Sequence, residues 1–224
     1  MTAYDAVLFD SDGVLVEPPP VETQSEATRA AFRAVDVDEP DRQHVDAIVS
    51  GATRDELHEI CAVYDLEPES FWKARERYDE DSQFVEFRDG TRGRYDDVAA
   101  VADLPAEIDC GVVSNNHHTT IEFVLEHFGL ESLFETHYGR EMTVESLRLK
   151  KPNAHYLERA LEDLAASPES ALYVGDSESD IVAAERAGLE STFVRRSHCY
   201  GVDLEVTPTY EIEDLNGLKR LVTG

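Results

Sequence analysis

Short runs of consecutive apolar residues alternate with segments of helical periodicity over most of the chain. Four runs predict buried strands, at residues 6–9, 110–113, 171–174 and 192–194. Continuous apolar strands separated by helices are typical of a parallel sheet that is covered on both faces. We therefore predict an α/β fold, a Rossmann-like parallel sheet core with helices on both faces.

Three of the intervening segments carry the helical repeat. Apolar residues in 121–128 are spaced i, i+3, i+4 and i+7, and Gly129 ends that helix. The same spacing occurs in residues 157–164, and a third helix is predicted from about residue 178 to 187, before Gly188.

Residues 17–90 break this alternation. The segment opens with three prolines, contains no strand pattern, and has an apolar helical stripe formed by Leu57, Ile60, Cys61 and Tyr64. Residues 89–93, with two glycines, mark a flexible return. We predict an α/β core domain made of residues 1–16 and 91–224, with an inserted helical domain at 17–90.

Charge excludes several classes of partner. The chain has 20 basic and 48 acidic residues, a net charge of −28. Duplex nucleic acid and anionic membrane surfaces both require clustered positive charge, so neither is expected to bind. No apolar run approaches the roughly 20 residues needed to span a bilayer, and the N-terminal residues have no leader pattern. We expect a cytoplasmic protein, a monomer or a homodimer.

The basic residues are mostly arginine, and only four are lysine: Lys73, Lys150, Lys151 and Lys219. An acidic, lysine-poor composition with a well-patterned core indicates a halophilic protein from a cytoplasm of high salt, where charge repulsion is screened. An acidic protein from ordinary salt is the alternative. Three cysteines are too few and too widely spaced to predict a disulfide framework or a zinc site.

Polar residues follow the ends of the predicted strands, where open parallel sheets bind ligands. Asp10 and Asp12 come directly after the first strand and precede Gly13. Two such carboxylates provide a nucleophile and a proton shuttle, or coordinate a cation; a plain Asp/Gly turn is the alternative.

Three further groups lie near later strand ends. Ser114, Asn115 and Asn116 supply a hydroxyl and two amides, although such residues also cap helices. Lys150 and Lys151 bring together half of the lysines. Asp176 and Asp180 have the spacing to face one cation, although Asp176 or Ser177 also suits a helix N-cap.

Taken together, these groups resemble the four sequence motifs of the haloacid dehalogenase superfamily. The motifs are residues 8–15, 113–115, 151–152 and 175–180. The resemblance extends over nearly the whole chain, and the helical insert is similar to the family's small cap domain.

The resemblance implies a phosphatase that forms an aspartyl-phosphate. Asp10 would be the nucleophile and Asp12 the general acid and base, while Ser114 and Lys151 would hold the phosphoryl oxygens. Lys150 is the alternative to Lys151. The expected cofactor is Mg²⁺, bound by Asp10, the Asp12 backbone carbonyl, Asp176 and Asp180, the last directly or through water.

The substrate is expected to be a small phosphorylated metabolite, such as phosphoglycolate or a sugar phosphate. Asn115 and the cap residues Gly51, Thr53 and Arg54 are the expected substrate-binding residues, with Thr53 as a helix cap being the alternative. His117 and His118 line the same cleft or begin a solvated helix.

Two other functions remain open: a phosphomutase similar to β-phosphoglucomutase, and a non-catalytic binding module. The dehalogenases of this family lack a carboxylate at the position of Asp12, so dehalogenation is not expected.

Overall fold

The computed structural model describes residues 4–223. Met1–Ala3, on which the prediction about a leader partly rests, and Gly224 lie outside the described residues. In the described part of the chain, no helix has both the length and the apolar character needed to cross a membrane.

A sheet with helices around it forms the centre of the fold, as predicted, and it has six strands where the sequence indicated four. Its strands are β1 (Ala6–Phe9), β2 (Asp109–His117), β3 (Thr136–Arg140), β4 (Ala171–Gly175), β5 (Glu190–Val194) and β6 (Tyr210–Ile212). Their order is β3-β2-β1-β4-β5-β6, and β1 runs parallel to both of its neighbours. The carboxyl ends of β1, β2 and β4, which carry three of the four motifs, are therefore adjacent at one edge.

The α-helices are α1 (Val21–Arg33), α2 (Arg42–Val49), α3 (Arg54–Val63), α4 (Pro68–Asp89), α5 (His118–Phe128), α6 (His155–Asp163), α7 (Glu178–Ala187) and α8 (Leu218–Thr223). The three helices predicted between the strands are α5, α6 and α7. Gly129 and Gly188 end α5 and α7 in the left-handed conformation, which glycine adopts without a steric penalty.

Side chains of the strands alternate between the two faces of the sheet and fill two apolar clusters. Val7 and Phe9 of β1 belong to the cluster that includes α5 and α8, whereas Ala6 and Leu8 belong to the cluster that includes α6 and α7. All four β1 side chains have no exposed surface. This burial on both faces explains why the strand consists of consecutive apolar residues.

The chain forms two compact units. The first contains the residues up to Pro18, Gly93–Gly139 and the chain from Leu149 onward; the second contains Pro19–Arg92 and Arg140–Arg148. The second unit is helical and holds α1 to α4, and its own apolar core includes the predicted stripe on α3. It also takes in residues 140–148, which the sequence analysis assigned to the core domain.

Packing explains that additional segment. Val144 and Leu147 are buried in the apolar core of the second unit. Arg140 donates to the Glu76 carboxylate at 3.0 Å, and both side chains are almost fully buried. Two apolar residues and a buried ion pair are too little to form a periodic apolar pattern, so the sequence could not indicate that this segment belongs to the second unit.

Candidate active site

The first motif lies in the tight loop that follows β1. The Ser11 backbone N–H donates to Asp10 Oδ1 at 2.7 Å, and the Ser11 carbonyl accepts bonds from the N–H groups of residues 14–16. The Asn116 side-chain amide donates to Asp12 Oδ2 at 2.8 Å. The loop and the end of β2 thus fix the direction of both carboxylates.

Gly13 permits this loop to approach the fourth motif. Its φ is +80°, and a Cβ added there would lie 1.9 Å from Asp176 Oδ2 and 3.0 Å from His198 Nε2. No other residue fits the space, because both the backbone conformation and the contact exclude a side chain. Gly13 is therefore a condition for bringing Asp176 beside the first motif.

Lys151 lies among the carboxylates of the first and fourth motifs. Its ammonium is 3.0 Å from Asp10 Oδ2 and 2.7 Å from Asp180 Oδ1. It also donates to the Tyr173 hydroxyl at 2.6 Å and to the Val113 carbonyl at 3.2 Å. The side chain is buried, so this charge acts on its partners with little screening by water.

Asn115 connects the end of β2 to this lysine. Its Oδ1 accepts from the Lys151 backbone N–H at 2.7 Å, and its Nδ2 donates to the Lys151 carbonyl at 3.0 Å. The two bonds fix the Lys151 backbone. Asn115 therefore has a positioning role, and contact with substrate stays a prediction.

Ser114 in β2 and Asp180 in the first turn of α7 are both buried. Ser114 Oγ accepts from the Asn116 N–H at 3.2 Å. Asp180 Oδ2 accepts from the N–H groups of Asp176 and Ser177 at 3.2 and 3.0 Å and from the Ser177 hydroxyl at 2.7 Å. The alternative of a capping box at the start of α7 is thus realised, with Ser177 as the N-cap and Asp180 as its partner.

Burial and neighbouring carboxylates change the proton affinity of the nucleophile candidate. Burial raises the pKa of Asp10, Lys151 opposes the rise, and the carboxylates of Asp180, Asp176 and Asp12 add to it. Burial also raises the pKa of Asp176, against the hydrogen bond from His198. For Lys151, burial alone lowers the pKa, but Asp10 and Asp180 outweigh it and the net shift is upward.

The acidic cluster fits the predicted cofactor. Carboxylate oxygens of Asp10, Asp176 and Asp180 lie within 4.8 Å of one another. This oxygen-only donor set suits a hard cation such as Mg²⁺. Neighbouring carboxylates contribute to the raised pKa values of Asp10 and Asp176, and a bound cation would relieve the repulsion between them.

Sequence reasoning did not assign a role to three polar residues of the site. His198 Nε2 lies 2.6 Å from Asp176 Oδ2, Tyr173 donates to the Val113 carbonyl at 2.8 Å, and Asn116 bonds Asp12. Tyr173 has the one polar tip within an otherwise apolar strand, and that was a usable signal. His198 comes from the loop after β5, where the sequence has no pattern that points to the site.

The predicted substrate residues of the insert lie in the second unit. Gly51 has a φ of +95°, as a tight turn requires. Thr53 is the N-cap of α3 in a complete capping box with Glu56. Arg54 lies 3.9 Å from Glu145. The alternative, in which Thr53 caps a helix, is thus realised. Substrate binding by these three residues stays a prediction.

Comparison with known proteins identifies the family. The model of the haloacid dehalogenase-like hydrolase family matches residues 7–194, which include all four motifs. Among curated proteins, the pyrophosphatase PpaX of Oceanobacillus iheyensis is 31% identical over 116 residues, 51% of this chain and 52% of that protein. PpaX of Bacillus cereus is 34% identical over 84 residues, 38% of this chain and 37% of that protein. The chain thus matches about half or less of these relatives' length.

Solved structures show the same fold over nearly the whole chain. CbbY from Rhodobacter sphaeroides, in complex with phosphate, has a TM-score of 0.71 and 22% identity, covering 96% of both chains. A mutant of CbbY was solved with xylulose-1,5-bisphosphate, with a TM-score of 0.72 and 21% identity over the same coverage. At this identity the likeness establishes the fold alone.

Proposed function

The chain belongs to the haloacid dehalogenase-like hydrolases, and from that membership we propose that it is a Mg²⁺-dependent phosphatase acting on a small phosphate monoester. The observation that carries the proposal is the arrangement around Asp10. A carboxylate at the end of β1 lies 3.0 Å from a buried lysine, beside a second carboxylate held by an amide. This arrangement supports the roles of nucleophile for Asp10, charge stabiliser for Lys151 and proton carrier for Asp12.

In the first half-reaction, Asp10 attacks the phosphorus of the substrate. A bond forms between the Asp10 carboxylate and phosphorus as the bond to the leaving oxygen breaks, and protonated Asp12 gives its proton to that oxygen. Lys151 and Ser114 hold the phosphoryl oxygens as negative charge spreads over them. The product is an aspartyl-phosphate.

In the second half-reaction, Asp12 takes a proton from a water molecule, and the resulting hydroxide attacks phosphorus. The bond to Asp10 breaks and inorganic phosphate is released. The hydrogen bond from the Asn116 amide to Asp12 Oδ2 fixes the direction of the carboxyl group that transfers the proton. The same carboxyl group thus acts first as acid and then as base.

Asp10, the Asp12 carbonyl and Asp176 would bind Mg²⁺, with Asp180 in support. When bound, Mg²⁺ would offset the repulsion between an anionic phosphate and this group of carboxylates. Asp180 also holds Lys151 and the backbone before α7, so its loss would disturb the lysine as well as the cation site.

The test is a panel of phosphorylated metabolites, assayed with Mg²⁺ in molar KCl. The panel contains phosphoglycolate, sugar phosphates, a sugar bisphosphate and pyrophosphate, and both substrate loss and phosphate release are measured. We expect stoichiometric phosphate release from a monoester. Substrate loss without phosphate release would indicate a mutase instead. Exclusive use of pyrophosphate would contradict the monoester assignment.

Two variants test the mechanism. Asp10→Asn removes the nucleophile, and we expect its activity to fall below detection. Asp5→Asn makes the same chemical change at an exposed position just before β1 and should retain activity. Wild-type activity in Asp10→Asn would exclude the aspartyl-phosphate route.

A further inference from the structure

A second cluster of metal-ligating side chains lies on α5 and β3. It consists of His118, Glu122 and His137, each of which offers one ligand atom within 4.8 Å of the others. His118 Nε2 is 3.8 Å from Glu122 Oε1, and the rings of His118 and His137 have centroids 5.2 Å apart. None of the three belongs to the acidic cluster around Asp10.

The fold brings these side chains together through one close backbone approach. A Cβ added to Gly139 would lie 2.6 Å from the His118 nitrogen and 2.7 Å from the His117 carbonyl carbon. Only glycine fits, so β3 passes directly against the first turn of α5. His137 precedes Gly139 by two residues on β3, so both point to the same face of the strand. His118 and Glu122, which are one helical turn apart on α5, lie against that face.

We propose that His118, Glu122 and His137 form a binding site for a divalent transition metal of the Zn²⁺ class. Two imidazoles and one carboxylate are a donor set that favours Zn²⁺ over Mg²⁺, which prefers oxygen alone. Glu122 is exposed and both histidines are partly exposed, so water can reach the metal as a fourth ligand.

The protonation state of the histidines is compatible with metal binding. Burial, assisted by the proximity of His118, lowers the pKa of His137, which favours the neutral ring that binds metal. His118 Nδ1 accepts a 3.3 Å bond from the Gly139 N–H. Binding of a metal at Nε2 requires the ring proton to move to Nδ1, which breaks this long hydrogen bond. The site therefore needs a metal with strong affinity for imidazole.

The geometry also limits the affinity. Ligand atoms around tetrahedral zinc are about 3.3 Å apart, since the metal–nitrogen distance is about 2.0 Å. The present separations of up to 4.8 Å require small rotations of three surface side chains. We expect a dissociation constant on the order of micromolar, weaker than that of a buried structural zinc site.

In the experiment, metal is first removed from the tag-free protein with a chelator. Zn²⁺ is then titrated into the protein in a calorimeter. The titration is performed on the wild type and on Asp176→Asn, which disables the acidic cluster. We expect one equivalent of Zn²⁺ to bind in the Asp176→Asn background. His137→Gln should abolish this binding, Glu122→Gln should weaken it about tenfold, and His127→Gln, an exposed histidine on the same helix, should leave it unchanged.

Co²⁺ supplies an independent readout, because imidazole ligation in a four- or five-coordinate site gives visible absorption that oxygen-only octahedral ligation barely shows. The proposal is wrong if Zn²⁺ binding disappears in Asp176→Asn alone. It is also wrong if His137→Gln and Glu122→Gln bind Zn²⁺ as the wild type does. Glu122→Gln changes only an exposed side chain, so its result does not depend on the folding of a core variant.

Discussion

Two lysines that are adjacent in the sequence have different surroundings in the fold. Lys151 is 3% exposed and contacts Asp10, Asp180 and Tyr173, whereas Lys150 is only partly buried. The sequence could predict that one of the pair serves the site. The family resemblance favoured Lys151, which directly precedes Pro152, and left Lys150 as the alternative, because the direction of each side chain depends on the backbone before α6.

Replacing each lysine by methionine tests this difference. We expect Lys151→Met to lower kcat at least about 100-fold, as loss of one charge-stabilising donor does. It should also lower the free energy of unfolding by about 3–5 kcal/mol, because Asp10 and Asp180 would lose their buried counter-ion. Lys150→Met is the control and should stay near wild type in both measurements. The reverse order of effects would move the phosphate-binding role to Lys150.

Replacing Gly13 and Gly90 by alanine separates the cost of a steric clash from the cost of the left-handed backbone conformation. Both have a φ near +80°, but an added Cβ meets Asp176 at Gly13 and nothing within 4 Å at Gly90. We expect Gly90→Ala to cost about 1 kcal/mol of stability through the left-handed conformation alone. Gly13→Ala should cost more and also abolish activity. Equal losses of stability, with activity intact in Gly13→Ala, would show that the first loop tolerates displacement from Asp176.

At the level of elements, the sequence predicted those whose pattern is apolar and missed those that depend on polar contacts. The four buried strands and the helices α5 to α7 were predicted. Strands β3 and β6 were missed, since their residues are mixed in polarity and partly exposed. Helix α4 buries Arg75, Glu76 and Asp79 against ion-pair partners, so its buried face has no apolar period.

Thr53 and Glu56 form a capping box at the start of α3, a structural role that these residues can have without contacting substrate. Thr53 Oγ1 accepts from the Glu56 N–H at 3.3 Å, and the Glu56 carboxylate accepts from the Thr53 N–H at 2.7 Å. Thr53→Ala should lower stability by about 1 kcal/mol, whereas Thr53→Ser should retain it. If Thr53→Ala also raises KM while Thr53→Ser does not, the hydroxyl contacts substrate as well. A wild-type unfolding midpoint in Thr53→Ala would contradict the capping role.

Hydrogen bonds between β3 and α6 predict that the free energy of unfolding depends on pH. The hydroxyls of Tyr138 and Thr136 donate to Asp163 at 2.6 and 2.7 Å and lower the pKa of that carboxyl group below its ordinary value. The folded-state pKa is then below the unfolded one. The stabilisation is complete above the unfolded pKa of about 4 and is lost as pH falls through the folded pKa.

Urea unfolding between pH 7 and pH 3 measures this effect. Asp163→Asn should be less stable than wild type at pH 7, and the difference should shrink toward pH 3. Glu162→Gln removes the same charge from the neighbouring exposed position and should leave the acid dependence unchanged. A constant difference between Asp163→Asn and wild type across the pH range would exclude the contribution of the two hydroxyl bonds.

For the whole molecule, the net charge of −28 and the chemistry of the site involve different parts of the protein. A protein proposed to bind phosphate needs local positive charge, and the buried Lys151 supplies it between carboxylates. The excess of negative charge over the rest of the chain is the basis for expecting adaptation to salt. Screening at molar salt reduces the Debye length to about 3 Å and weakens repulsion between surface carboxylates.

We therefore expect the thermal unfolding midpoint to rise between 0.1 and 3 M KCl. A variant with Glu59, Glu107 and Glu126 replaced by glutamine removes three exposed charges and should show a smaller rise. The comparison separates charge screening from the general stabilisation that a salt gives any protein. Equal slopes for the two proteins, or a midpoint that does not change with KCl, would contradict the salt adaptation.

The central position of β1 also determines when the site can exist during synthesis. Val7 lies between Cys110 of β2 and Leu172 of β4, so β1 must pair with a strand that is made much later. Asp10 is therefore present on a nascent chain long before Asp176 and Asp180 can join it. Pairing over such a separation is slow to form. The reactive carboxylates thus remain dispersed until β4 and the first turn of α7 have been translated, and a chain interrupted before β4 carries the nucleophile without a competent site.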